Sequence, residues 1–233
     1  MKSTHDGNQK PASRLVLARS YLEGRPGAER QGQQAAMKRI LVIGADGGIA
    51  RQATRAFEAR FDCAPTLYVC DAGTLADSPH PVIEGAATDG AALRAAMQGQ
   101  DVVFANLSQD IPQAARAIVE AMWDSGPTRL IFVTRMGIHD EVPDMLPSTL
   151  PCASLDPHRE AARIIEGSGL DYTLVRPGRL TDRAEIAYAT TRRGEPFANP
   201  TGKVSNRSVA NLVLRLATEP GFGRGESFGV HAL

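Results

Sequence analysis

The chain has 233 residues, 42% hydrophobic and 22% charged, which suits one or two globular domains and excludes both wholesale disorder and a fibrous repeat. Its 26 basic and 26 acidic side chains cancel, so no general field draws it to nucleic acid or to an anionic membrane. Three cysteines without metal-site spacing argue against a disulfide framework or a structural zinc, and no apolar run nears the roughly 20 residues of a membrane span. A cytoplasmic protein is expected.

Residues 1–36 stand apart, with six Lys/Arg against three Asp/Glu and one apolar cluster at Leu15, Val16, Leu17, Tyr21 and Leu22, interrupted by Arg19. A secretory signal would pass from a basic start into roughly 7–15 apolar residues, so this stretch reads as a disordered extension, or as a start assigned ahead of Met37. From Met37 the pattern changes. Ile40-Leu41-Val42-Ile43 is a continuous apolar run, as in a strand buried on both faces of a parallel sheet. Ile49, Ala53 and Phe57 then recur at helical spacing. Strands follow at Thr66–Cys70 and Pro81–Ile83, and Thr88 is placed to cap a helix burying Leu93, Ala96 and Met97.

The alternation continues. Val102–Ala105 precedes a helix carrying Ala115, Ile118, Val119 and Met122, and Leu130–Val133 is a fifth strand. Asp156-Pro157 opens a helix burying Ala161, Ile164 and Ile165, which Gly167-Ser168-Gly169 ends. Tyr172–Val175 is a sixth strand, broken by Pro177-Gly178; Ser208 is expected to cap a helix with Val209, Leu212, Val213 and Leu216, and Phe228-Gly229-Val230 suits a last strand. Strand and helix repeated in this way require right-handed crossovers, so a single doubly wound α/β domain with a parallel sheet is expected over 37–233. Segments 138–156 and 179–207 exceed ordinary connections and follow carboxyl ends of strands, the side on which such sheets bind ligands.

Gly44-Ala45-Asp46-Gly47-Gly48-Ile49-Ala50 lies between the first strand and the first helix and reads G-x-x-G-x-x-A. Gly44 permits the tight turn, Gly47 lets backbone amides approach a pyrophosphate, and Ala50 allows close helix–strand packing. No G-K-[ST] follows, which excludes a Walker phosphate loop. Asp71 closes the second strand, 21 residues after Ala50. It could accept the adenosine ribose hydroxyls, which favours NAD over NADP, or merely cap the turn at Ala72-Gly73; Arg51 could supply a compensating charge for NADP.

Lys38 to Ala50, Gly99 to Asn106, Leu130 to Gly137 and above all Ser168 to Gly178 (SGLDYTLVRPG) resemble the atypical short-chain dehydrogenase/reductase superfamily, in its NmrA-like or NAD(P)H-binding branch, over essentially all of 37–233. The resemblance implies a Rossmann fold and NAD or NADP as cofactor. It implies that Gly44, Asp46, Gly47, Gly48 and Ile49 hold the pyrophosphate and that Asn106 and Leu107 border the adenosine and ribose. It places Thr134 near the nicotinamide ribose and Pro177-Gly178 at the nicotinamide. Relatives often carry Arg at the position of Cys70 and Asp at that of Ala86. The Tyr-x-x-x-Lys pair of reducing dehydrogenases has no counterpart in Ala153–Glu160 (ASLDPHRE), where His158 falls closest to the lysine.

Catalysis therefore has two candidates, His158 as proton donor and Thr134 as an orienting hydroxyl, each with an ordinary alternative: a solvent-facing residue in a helix's first turn, and a cofactor neighbour. Arg135 and Arg176 could hold an anion or be paired on loops, while Asp140 and Glu141 read as solvated. His139 and His231 lack ligand spacing, so no metal is expected. Two functions remain open. One is an NAD(P)-dependent oxidoreductase acting on an unidentified small carbonyl, quinone or flavin-like acceptor. The other is a non-catalytic sensor that binds the dinucleotide and a protein partner.

Overall fold

The computed structural model describes residues 37–127, 129–142 and 154–233. Along the chain come β1 (Lys38–Ile43), α1 (Gly48–Glu58), β2 (Cys63–Val69), β3 (Val82–Glu84), α2 (Gly90–Met97), β4 (Val102–Ala105) and α3 (Ile111–Ser125). They are followed by β5 (Arg129–Val133), α4 (Asp156–Glu166), β6 (Asp171–Pro177), β7 (Arg179–Thr181), β8 (Ala189–Thr191), β9 (Lys203–Ser205), α5 (Asn206–Thr218) and β10 (Glu226–His231).

Eight strands form one sheet in the order β3-β2-β1-β4-β5-β6-β10-β8. Every neighbouring pair is parallel except β10 and β8. The strand order reverses at β1, so a crevice opens between the carboxyl ends of β1 and β4, where doubly wound sheets take their ligands. Helices α1 and α5 pack together on one face, and α2, α3 and α4 on the other. The pleat of β1 sends Ile40 and Val42 to the first face and Leu41 and Ile43 to the second, all four wholly buried. Burying each contributes about 1.5–3 kcal/mol. That explains why the run is apolar without alternation.

Three helix starts differ from expectation. Asp89, not Thr88, caps α2, its carboxylate accepting the amides of Ala91 at 2.9 Å and Ala92 at 3.1 Å. Ser205, not Ser208, caps α5, and its Oγ accepts the Ser208 amide at 3.0 Å. Leu155 precedes α4, so Asp156 and Pro157 are its first two residues rather than cap and first turn; the Ser154 hydroxyl accepts the Asp156 amide at 3.1 Å. In α2 and α5 the cap is the polar side chain that reaches the second or third helical amide. Ile164 is half-buried rather than in the core.

Segment 179–207 is not an extended connection. It forms β7 and β9, which pair in a small parallel sheet of their own, and β8, the antiparallel edge of the main sheet. Each of these strands has three residues, too few for a periodic signal. The extension 1–36, Cys152 and residues 143–153 of the other long segment lie outside the described residues.

Candidate functional site

The turn after β1 is shaped by what it must pass. Gly44 takes φ +72°, and a Cβ there would overlap the Asn106 carbonyl at the end of β4. The Gly47 amide closes the turn on the Gly44 carbonyl at 3.1 Å, and a Cβ on Gly47 would overlap the Asn106 side-chain amide. The Asn106 backbone amide donates to the Ile43 carbonyl at 2.9 Å, so pairing with β1 fixes the residue whose side chain closes over the turn.

Helix α1 then begins without a side-chain cap and without an acidic residue in its first turn. Its first backbone bond runs from the Arg51 amide to the Gly47 carbonyl at 2.9 Å, which leaves the amides of Gly48, Ile49 and Ala50 without a backbone acceptor among the described residues. Unpaired amides at a helix start, with the positive end of the dipole behind them, are an arrangement that attracts anions. Asn206 adds a wall that sequence reasoning missed. Its Nδ2 donates to Asp182 at 2.7 Å and lies 3.0 Å from where a Gly48 Cβ would stand, while its Oδ1 is buried without a protein partner.

At the end of β2, Asp71 takes its ordinary alternative: Oδ1 accepts the Gly73 amide at 2.8 Å and caps a short 3-10 turn. Its side chain stays exposed at the strand end. Arg51 reaches the same edge, with Nε donating to the Asp46 carbonyl at 2.9 Å.

A cavity of about 920 Å³ runs along the carboxyl edge of the sheet. Of the candidate residues it gathers Ile49, Asn106, Leu107, Thr134, His158, Pro177 and Gly178 in its lining; Gly44, Asp46, Gly47, Gly48 and Asp71 do not line it. The glycine turn meets the cavity through Asn106 and Ile49. Thr134 is buried, its amide on the Val175 carbonyl at 2.8 Å. The Gly178 amide donates to the Val230 carbonyl at 2.8 Å, and the Pro177 carbonyl accepts the Met136 amide at 3.2 Å, so neighbouring strands set the far wall.

His158 does not face solvent. It is half-buried and lines the cavity, and its Nδ1 is enclosed without a hydrogen-bond partner. Burial, with the charge of Arg135 added, pushes the imidazole below its ordinary value, so it is neutral at pH 7.

Glu141, expected in solvent, is buried, and Arg176 is wholly enclosed and ion-paired with it. Arg176 also donates from Nε to the Ser227 hydroxyl at 3.0 Å and from Nη2 to the Ser227 carbonyl at 3.2 Å, beneath the Phe197 ring. Glu141 accepts the amides of Gly137 at 3.0 Å and His139 at 2.8 Å. Burial alone would raise its pKa; Arg176 and these amides outweigh burial and hold it below the usual carboxylate value. From α4, Arg159 grips the same loop through the carbonyls of Gly137 at 3.2 Å and Ile138 at 3.3 Å. The loop after Thr134 is thus held from both sides, and Arg176 is a brace rather than a ligand-facing cation.

Fold and turn together define a Rossmann-type dinucleotide-binding protein. The sequence model of the NAD(P)H-binding family matches residues 44–220, and the chain belongs to that family. A Rossmann-fold NAD(P)-binding family protein from Shigella flexneri is 35% identical over 84% of this chain and 94% of its own, with a TM-score of 0.71. A short-chain dehydrogenase/reductase from Veillonella parvula DSM 2008, solved in complex with NADP, is 25% identical over 83% of this chain and 94% of its own, with a TM-score of 0.72. ChuY, an anaerobilin reductase from Escherichia coli O157:H7, shares the fold at 20% identity and a TM-score of 0.69, over 84% of this chain and 97% of its own. No curated protein matches the chain. The resemblance to the atypical short-chain dehydrogenase/reductase superfamily holds, and the cofactor is NAD or NADP.

Proposed function

We propose that the chain is an NAD(P)-dependent oxidoreductase that reduces a small electrophilic acceptor. The observation that carries this reading is the continuity of one cavity from Ile49 and Asn106, beside the glycine turn, to Thr134, Pro177, Gly178 and His158. When bound, the reduced nicotinamide supplies a hydride to the acceptor. The chain's own part is to hold and orient. The free amides of Gly48, Ile49 and Ala50 take the pyrophosphate, Asn106 and Leu107 border the adenosine ribose, and Thr134 with Pro177-Gly178 sets the nicotinamide end. Neutral His158 presents a hydrogen-bonding nitrogen to the acceptor, and the proton that balances the hydride comes from solvent at the cavity mouth or through this imidazole.

A second reading, a cofactor sensor without turnover, draws on the lack of Tyr and Lys in Ala153–Glu160. Titration with NADH and NADPH, followed by nicotinamide fluorescence, separates binding from chemistry. Cofactor oxidation with a panel of quinones, flavins and aldehydes then decides. Oxidation by any class supports the enzyme; tight binding with no oxidation gives the sensor.

A further inference from the structure

The charged lining of the cavity is uneven. Four of its residues carry or can carry charge: Asp110, Arg135, His158 and Arg179. Arg135 follows Thr134 beyond β5, and Arg179 follows Gly178 beyond β6, so both guanidiniums arise at the carboxyl edge of the sheet, at the end of the cavity away from the glycine turn. Elsewhere buried or half-buried arginines are matched: Arg129 with Asp171, Arg159 with Asp140, Arg176 with Glu141. Arg135, half-buried, and Arg179, exposed, have neither an ion pair nor a hydrogen bond among the described residues. A guanidinium that lines a cavity without a protein acceptor is free to take one from a bound ligand. His158 lines the same cavity close enough to feel the charge of Arg135.

The rest of the lining narrows the choice of ligand. Beyond the residues given to the cofactor, Ile111, Met136 and Leu180 give the cavity an apolar wall. Asp110 opposes too much negative charge: it is exposed, takes a left-handed backbone at φ 47°, and leaves its carboxylate free of any capping bond to α3. Two guanidiniums against one carboxylate favour a monoanion and disfavour a phosphoryl dianion. A flat carboxylate also matches the two-pronged donor face of arginine.

We propose that the acceptor reduced in this cavity bears a carboxylate on an apolar body, held by Arg135 with Arg179 at the mouth. The inference rests on the oxidoreductase reading only in calling the bound molecule a substrate; the anion site stands on its own residues.

The test uses the full chain, saturated with oxidised cofactor so that no turnover intervenes, and calorimetry with two probes of similar size, 4-carboxybenzaldehyde and methyl 4-formylbenzoate. The acid should bind at least about tenfold tighter than the ester. Arg135→Gln should erase that preference while leaving cofactor affinity and ester binding unchanged, and Arg135→Lys should keep part of it, which shows that charge rather than folding is read. Equal binding of the two probes, no binding of the acid at millimolar concentration, or a preference that survives Arg135→Gln overturns the proposal. So does tighter binding of phenyl phosphate than of 4-carboxybenzaldehyde. Cofactor affinity is measured in the same samples: an acid preference without cofactor binding sinks the oxidoreductase and leaves the anion site standing.

Discussion

The two ends of the cavity are made of different material. At the glycine turn the ligand-facing surface is backbone: a left-handed Gly44, a Gly47 pressed against Asn106, and three amides with no acceptor. At the far end it is side chains: Arg135 and Arg179, on a loop and strand beside the buried Arg176–Glu141 pair, and His158 in the first turn of α4. A backbone site needs absent side chains and is specified by a few glycines. A side-chain site needs bracing from residues distant in sequence, here Glu141, Arg176 and Ser227.

If that division is real, the largest effects come from the bracing and leave the turn untouched. Glu141→Ala strands a wholly buried guanidinium and should cost about 3–5 kcal/mol of folding stability, read by denaturant titration. Cofactor affinity of the remaining folded protein should hardly change; a matching loss there would show the two ends to be one unit. Replacing both partners by apolar residues, Glu141→Leu with Arg176→Met, should cost less than the sum of the two single changes, since no buried charge is left alone although the Gly137 and His139 amides and Ser227 lose their partners.

Acid probes the same end. Burial, reinforced by Arg176 and Arg193, depresses the His139 pKa, as burial and Arg135 depress that of His158. In each case the unfolded chain takes up its proton first, so stability is full above the ordinary value of 6.5 and declines as pH falls below it. Glu141 is likewise depressed, so its share is present above the ordinary 4.5 and is lost as pH drops below that toward its folded value. Thermal melts from pH 8 to 4 should show Tm falling in that order. A Tm flat between pH 7 and 5 would contradict the buried, neutral imidazoles.

Gly47→Val attacks the other end. The added side chain must displace the Asn106 amide or fill the mouth of α1, so affinity for either cofactor should fall about a hundredfold by nicotinamide fluorescence. Stability should change by no more than roughly 1–3 kcal/mol, the usual cost of local overpacking. Retained affinity would move the pyrophosphate elsewhere.

This contrast also explains what could be read from the sequence. Ile40–Ile43, the glycine turn and the apolar stripes of α1 and α3 are local patterns, and the sheet they imply is the sheet observed. Asp89 and Ser205 were missed because several capping residues stand in a row and only the geometry of the helix start selects among them. β7, β8 and β9 were missed because three residues give no period. Glu141 and Arg176 lie 35 positions apart, and nothing beside either marks it as buried; the pair forms only when the loop after β5 folds over β6 and β10. The resemblance alone marks His158, and its turn toward the cavity depends on how α4 packs.

The smallest effect tests the one position where the two kinds of construction meet. Asp71 is a side chain serving the backbone end: its carboxylate caps the turn through the Gly73 amide and is exposed, and in the proposed binding mode it meets the adenosine ribose. Arg51, bonded to the Asp46 carbonyl, brings the opposite charge to the same edge. Both groups are solvent-screened, so each should shift affinity only a few-fold. Asp71→Ala removes a charge that repels a 2′-phosphate and should move the NADPH to NADH affinity ratio a few-fold toward NADPH, while Arg51→Ala should move it a few-fold the other way. Paired fluorescence titrations with both cofactors read the ratio, which cancels any general loss from the broken cap. An Asp71→Ala ratio equal to the wild type's would mean that this carboxylate serves the turn alone, and that cofactor choice is made by other groups.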